Sequence, residues 1–425
     1  MNSLPSSVNY AEVLPSLPEN STRYSVALNP TNGSTFTASQ QIQFQFPNRG
    51  YLIPDSVYLR YKLVTVVGAT ATGIVGTPFY SPFQRSETQF GSVTVDSINN
   101  YHQVCNMLTN CTLDWAQKYG NNVNYGYSST DTATLEEMDG RVLASAQTDT
   151  VTMAGPLPCL LTNISDKLLP LFAMPTITHI LTVDALANIL LNTTTITSFT
   201  ISNCELCFDF IELGSEVDAM VRGMGDKIYL KSQSFSNSSQ TIIAATNGSQ
   251  SYIFNQRYAS VKGAILLFSG GTNGLFDSRD LTTNNGQISL NVSGVQYPQK
   301  PYSTLNNKAA ILIELRKVMG SIYDKVNSLA INNKEFSICD TTVGTPNANA
   351  TSSLTVPAKF YVGFNLQKLH SNALLTGIST NNSNISVNID QVNPVGAANR
   401  QINLILAYDA LIEIDMVNKQ SSVKV

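Results

Sequence analysis

The sequence predicts an all-β chain built from two similar units in tandem, and three observations carry that expectation. Hydrophobic residues make up 43% of the 425 and charged residues only 13%, against about 25% charged in an ordinary soluble domain. The polar surface therefore falls to Asn, Ser, Thr and Gln, which hydrogen-bond their own backbone and favour turns over helix interiors. Apolar and polar side chains also alternate, as where Ile42, Phe44 and Phe46 interleave with Gln41, Gln43 and Gln45, the period of a half-buried strand. Finally, a weak pattern returns after about 200 residues. Ser92-Val93-Thr94-Val95-Asp96-Ser97-Ile98, followed by Tyr101, is echoed by Ser289-Leu290-Asn291-Val292-Ser293-Gly294-Val295, followed by Tyr297. Tyr51 and Tyr258 each open a strand-like run, and the apolar run from Phe199 to Leu213 has a counterpart from Ile402 to Met416.

Taken in order, residues 1–32 carry several prolines and no sustained period, which reads as an extended arm able to lie on a neighbouring subunit. Strands follow over Gly33 to Pro47 and Tyr51 to Val67, where Val57, Leu59, Tyr61 and Leu63 alternate with Tyr58, Arg60 and Lys62. Pro54 confines the start of the second to an edge or bulge. Between Val93 and Gly120 the period lengthens to that of a helix: Ile98, Tyr101, Cys105, Leu108, Trp115 and Tyr119 fall close to one stripe. Asp96 or Ser97 can cap its start and Gly120 can end it. Trp115, the only tryptophan, reads as a packing anchor.

A Ser/Thr/Asp-rich loop spans Tyr125 to Asp139, and strands resume around Arg141 to Thr152, Leu168 to Met174, His179 to Ala185 and Ser198 to Glu212. A short helix and linker over Gly214 to Gly225 mark the boundary between units. The second half repeats the plan, with strands near Lys227 to Phe235, Ala259 to Phe268, Gln287 to Val292, Phe360 to Leu366, Ile385 to Ile389 and Ile402 to Met416. Helical spacing of Ile311, Leu315, Val318, Ile322 and Val326 parallels the first helix. The expected division is an arm (1–32), a first unit (33–222), a second (223–417) and a tail (418–425).

Composition and motifs argue against several function classes. The net charge is -4 without a Lys/Arg-rich arm at either end, whereas an electrostatic nucleic-acid binder carries a basic stripe or tail. No run of 18 or more apolar residues and no basic, then apolar, N-terminal leader appear, so a soluble product, intracellular when made, is expected. The six cysteines, at 105, 111, 159, 204, 207 and 339, read as reduced, buried thiols. Cys204 and Cys207 form a C-x-x-C, but strand alternation sends positions three apart to opposite faces. With no second C-x-x-C and with His179 and His370 isolated, no metal is expected. The N-x-S/T triplets at Asn110 to Thr112 and Asn384 to Ser386 read as by-products of composition.

Three histidines and no H-E-x-x-H, G-x-S-x-G, Walker A or G-x-G-x-x-G sequence point away from an enzyme, so no catalytic, cofactor-binding or metal residue is assigned. His102 and His179 read as structural, since a general base needs an orienting partner. Glu136, Glu137 and Asp139 form the densest carboxylate cluster, yet adjacent carboxylates in a polar loop make a solvated patch more readily than the spaced pair of a glycosidase. Asp277 and Asp280 offer loop oxygens to calcium but lack the repeated acidic ligands of a cage. Arg279 and Lys262 read as isolated cations, without the basic and aromatic alternation of single-strand binders.

The strand from Ser92 to Asp96, a short turn and a helix beginning Ile98-Asn99-Asn100-Tyr101 resemble the first barrel of the double jelly-roll major capsid proteins of tailless icosahedral DNA viruses, especially the virophage and polinton-like group. Leu169-Pro170-Leu171-Phe172, the strand from His179 and the run Ile201 to Glu212 resemble the pattern closing that barrel. Tyr258 to Lys262, Val295-Gln296-Tyr297-Pro298 and Asp409 to Val425 resemble second-barrel segments. The similarity covers nearly the whole chain as order and spacing, and no single motif is diagnostic. It implies an all-β chain of two tandem eight-stranded antiparallel jelly rolls with short helical insertions. It further implies a homotrimer that tiles a virion capsid as a pseudo-hexagon, assembled in the infected host cell without a cofactor. Neighbouring capsomers, penton proteins and minor or cement proteins would be its partners, and contact with an internal membrane stays open. Loops at Tyr125 to Asp139 and Gly270 to Gly286 are expected as exposed towers or subunit contacts. A β-sandwich adhesin or lectin, a β-sandwich glycosidase and a single-barrel capsid protein are the other classes this composition admits.

Overall fold

The computed structural model describes residues 21–68, 72–75, 78–127, 140–143, 148–164, 167–189, 196–223, 225–243, 248–270, 275–282, 286–304, 306–323, 329–331, 333–336, 358–369, 375–392 and 399–425. Its long strands form two matching sets. The first is β1 (Thr22–Leu28), β2 (Gln41–Gln45), β3 (Tyr58–Val67), β4 (Phe83–Phe90), β5 (Val93–Asn99), β6 (Thr148–Pro156), β7 (Ile177–Val183) and β8 (Ile196–Glu212). The second is β9 (Lys227–Ile242), β10 (Gly248–Phe254), β11 (Val261–Gly270), β12 (Gln287–Val292), β13 (Val295–Ser303), β14 (Tyr361–Asn365), β15 (Ile385–Val392) and β16 (Arg400–Asp415). A last strand, β17 (Gln420–Lys424), pairs with the end of β16.

In the first set one antiparallel sheet pairs β1, β8, β3 and β6 in that order, and the other pairs β2, β7, β4 and β5. In the second the orders are β9, β16, β11, β14 and β10, β15, β12, β13. This interleaving is the strand order of a jelly roll, present twice. β3 alternates as expected, with Leu59, Tyr61 and Leu63 buried and Tyr58 and Arg60 exposed. β16 is instead buried almost throughout, because both of its faces are covered, and such a strand reads as a continuous apolar run.

Each roll makes a helical excursion after its fifth strand: α1 (Tyr101–Thr112) follows β5 and α3 (Lys308–Ile322) follows β13. Between the rolls lies α2 (Ser215–Gly223), which joins the end of β8 to the start of β9. At the opposite end of the molecule α1 reaches the second roll, where Gln103 Nε2 donates to Ser269 Oγ (3.1 Å) and to the Leu275 carbonyl (3.0 Å), and Asn110 Nδ2 donates to the Tyr361 hydroxyl (3.2 Å). The two rolls therefore stand side by side and point the same way.

Several expectations change. The arm expected over 1–32 becomes strand β1 from Thr22, held because its whole length pairs with β8 from Thr22↔Glu212 to Leu28↔Leu206. The expected tail is likewise β17. β4 and β10 carry too many polar residues to announce themselves: Phe83 to Phe90 reads FQRSETQF, and β10 is an edge strand with an open polar face. The helix expected from Asp96 or Ser97 starts at Tyr101, since Val93–Asn99 is paired with β4 and Asn100 turns the chain with φ 47°. The echo of Ser92–Ile98 in Ser289–Val295 is out of step: Val93 and Val295 open equivalent strands after equivalent hairpins, and Ser289 lies on the preceding strand.

A truncation is expected to separate arm from strand. Removing residues that end before Thr22 should leave the thermal unfolding of the first roll in place, whereas deletion through Asn29 removes β1, uncovers Phe210 stacked under Tyr24, and should lower it. Equal unfolding temperatures for the two truncations would contradict β1 as a structural strand.

Candidate functional site

Buried polar groups of both rolls meet at the seam between them. Asp96, on β5, is buried and accepts hydrogen bonds from three segments. Leu160 N–H donates to Oδ2 (2.9 Å), while the Ser234 hydroxyl of β9 (2.7 Å) and the Tyr408 hydroxyl of β16 (3.3 Å) donate to Oδ1. Beside it Ser232 Oγ donates to the Leu160 carbonyl (2.5 Å) and Asn163 Nδ2 to the Gln233 carbonyl (3.1 Å). The Tyr408 ring stacks on Tyr258 at 4.0 Å. Burial pushes the Asp96 carboxyl above its usual range, and the donors from Leu160, Ser234 and Tyr408 only partly offset it. Burial likewise pushes the Tyr408 phenol up, with the Asp96 charge adding to it. Chemically this is a staple: one acceptor joins a strand and a loop of the first roll to two strands of the second. Sequence reasoning placed Asp96 as a helix cap and missed the role. The available signal was the serine run Ser232, Ser234, Ser236 at strand period, small hydroxyls that let another element approach.

His102, on α1, sits with its Nε2 2.9 Å from Asp184 Oδ2, not aligned as a hydrogen bond, and edge-on to Phe276 of the second roll. Burial raises the Asp184 carboxyl, but the His102 contact, Asn188 and the Ala185 N–H outweigh it and hold it below the usual carboxylate range. His179 is buried on β7, 3.3 Å from Thr88 Oγ1, and burial lowers its imidazole to about 4. Its folded pKa is thus below the unfolded value of about 6.5. As pH falls below about 6.5 the unfolded chain takes up a proton the folded chain refuses, and stability is lost down to about pH 4, on the order of 3 kcal/mol in total. His179→Gln should flatten that slope in denaturant titrations between these pH values; an unchanged slope would contradict a neutral core imidazole.

The remaining candidates resolve into structure. Cys105, Cys111, Cys159, Cys204 and Cys207 are free and buried, and burial pushes the Cys111 and Cys204 thiols up to about 12. Cys204 joins the apolar core and Cys207 does not, as opposite faces of β8 require. Asn110 is buried against Tyr361 and Lys118, which is no place for a glycan. The expected tower over Gly270 to Gly286 is corrected: its described residues Phe276 to Thr282 are buried, because their charges are satisfied. Asp277 pairs with Arg279 (2.8 Å) and accepts from Ala358 N–H (2.7 Å), and Asp280 accepts from the Thr282 hydroxyl (2.7 Å) with Lys308 at 3.8 Å. These carboxylates are already engaged with cations and donors. Lys262 and Arg279 are therefore not isolated, Lys262 lying 3.9 Å from Asp409 and donating to Gln233 (3.0 Å).

Among the described residues no three His, Cys, Asp or Glu side chains gather as a metal site, and no helix is long and apolar enough to cross a membrane. Glu136, Glu137, Asp139, His370, Cys339 and the Trp115 side chain lie outside the described residues. A surface recess of about 520 Å³ lies on the outer face of the first roll, lined by Asn29, Arg60, Lys62, Thr152, Asn203 and Glu205 among others.

No family profile matches this sequence, and no curated protein matches it. Solved structures do. The PBCV-1 virus capsid structure matches with a TM-score of 0.61 at 11% identity, covering 97% of this chain and 99% of that one. The Faustovirus major capsid protein matches at 0.60 and 9% identity, covering 96% and 92%. The mavirus major capsid protein matches at 0.57 and 10% identity, covering 100% and 95%. This chain is a double jelly roll. At such identities the likeness is one of fold, and the double jelly roll accounts for both sets of strands, the seam between them and the helix after β5 and β13.

Proposed function

We propose that this double jelly roll is a major capsid protein, a structural component without catalytic function, three copies of which form a pseudo-hexagonal capsomer that tiles the icosahedral shell of a double-stranded DNA virus. The observation that supports this best is the pair of rolls held side by side and pointing the same way by the Asp96 staple, over almost the full length of the capsid proteins it resembles. Two like barrels per chain give six in a closed three-fold ring. The charged fraction of 13% suits extensive packing, because few ions must be desolvated where subunits meet. In this reading the first roll opens at Thr22, the boundary near residues 222–223 falls within α2, and β17 completes the second roll. Its partners are further copies, neighbouring capsomers, and penton and minor or cement proteins, and its place is the virion capsid. Light scattering on the purified protein at micromolar concentration should give the mass of three 46.1 kDa chains; a stable monomer would overturn the reading.

A further inference from the structure

The two rolls are alike in strands but not in what covers them, and the difference locates a contact. Strand register sets the equivalence. Cys207 on β8 faces Tyr58 on one side and Ala27 on the other, while Tyr408 on β16 faces Val261 and Ser234. Ala27 of β1 thus corresponds to Ser234 of β9, and Arg23, Ser25 and Asn29 to Leu230, Ser232 and Ser236. In the second roll all four positions are buried, with Ser232 and Ser234 bonded to Leu160 and Asp96 of the first roll. In the first roll all four are exposed.

The complementary side shows the same imbalance. The first roll offers to the seam Asp96 on β5 and the connection between β6 and β7, in which Leu160 and Leu161 are fully buried. On β13 the residues paired as Asp96 and Ile98 are on β5 are Tyr297 and Tyr302, so no carboxylate stands at the Asp96 position, Tyr297 is only half-buried, and Lys300 in the bulge between the two tyrosines is exposed. In the connection between β14 and β15, Leu375 is 46% and Leu369 60% exposed. Each chain therefore carries one finished seam and the two uncovered halves of a second.

Resting on the capsid reading, we propose that the β13 side of one chain, with Leu369 and Leu375, docks on the outer face of β1 of a second copy, at Ser25 and Ala27 and at Asn29 just beyond the strand. The contact repeats the intrachain seam between chains. The interface is head-to-tail, so each copy uses one half to hold the next, and a ring forms when the rotation closes. The recess beside Asn29 lies on the receiving face and would be covered by the incoming chain.

Complementation tests this. Ala27→Arg spoils the receiving face and Leu375→Arg the docking face, both at surface positions; Asn29→Arg and Leu369→Arg are the second pair, and circular dichroism confirms folding. Each variant alone should run as a monomer. An equimolar mixture of the Ala27→Arg and Leu375→Arg chains should give a dimer, because one intact junction remains, but no trimer. Variants that stay trimeric beside a trimeric wild type would overturn this interface and leave the capsid reading standing. A wild type that is itself monomeric would overturn both. Monomeric variants that fail to pair when mixed would show that the two faces do not meet.

Discussion

Asp96→Ala should cost about 4 kcal/mol and make the two rolls unfold separately. The substitution removes an acceptor shared by the Leu160 N–H and the Ser234 and Tyr408 hydroxyls, and each buried donor left without a partner costs about 1–3 kcal/mol. Water entering the gap recovers part of that loss, so the total sits below the sum. Because these donors come from both rolls, the loss falls on their coupling, and calorimetry should resolve two transitions where the wild type shows one. A single transition at a slightly lower temperature would mean that apolar packing alone fuses the rolls. Asp96→Asn refines the test. Burial raises the Asp96 carboxyl in the folded state, so its contribution is fully present below the unfolded pKa of about 3.9 and is lost as pH rises through the folded one. Wild type should therefore gain on Asp96→Asn as the solution is acidified, in a direction opposite to the His179 effect.

Gly363→Val is expected to destabilise the second roll by about 3 kcal/mol, the upper range for forcing atoms into a filled core. A Cβ at this position would lie 2.7 Å from Leu315 Cα and 3.1 Å from Leu315 N. The obstacle is the backbone of α3, which cannot rotate out of the way as a side chain can. The helix cannot slide either, since Gly263 on neighbouring β11 receives Val318 in the same manner, with Val318 Cγ1 2.7 Å from an added Cβ. Gly263→Ala should cost less, because Val318 can change rotamer. Denaturant midpoints of the two variants rank these effects; the reverse order would mean α3 is free to shift.

The parts of this fold legible in the sequence are those where one physical rule acts alone. β2 and β3 show strict alternation because one face meets the core and the other meets water, and β8 and β16 stand out as long apolar runs. β1 was hidden because its seven residues are mostly exposed and follow a proline-rich stretch, so only pairing with β8 defines it. β4 was hidden because Gln84, Arg85 and Gln89 interrupt its pattern. The seam was invisible for a different reason: Asp96, Leu160, Ser234 and Tyr408 are far apart in sequence, and a carboxylate near a helix start looks the same whether it caps that helix or joins two barrels. The charged loop at Asp277 to Asp280 looked like surface, because sequence alone does not show that Arg279 and Lys308 fold onto its carboxylates.

The central claim is that three copies of this chain act as six barrels. Electron microscopy of the purified oligomer tests it most directly. The account predicts class averages with a hexagonal outline, three-fold symmetry and six barrel densities around a central axis. A ring with a different number of barrels, or a compact particle in which the two rolls of a chain point in different directions, would contradict it.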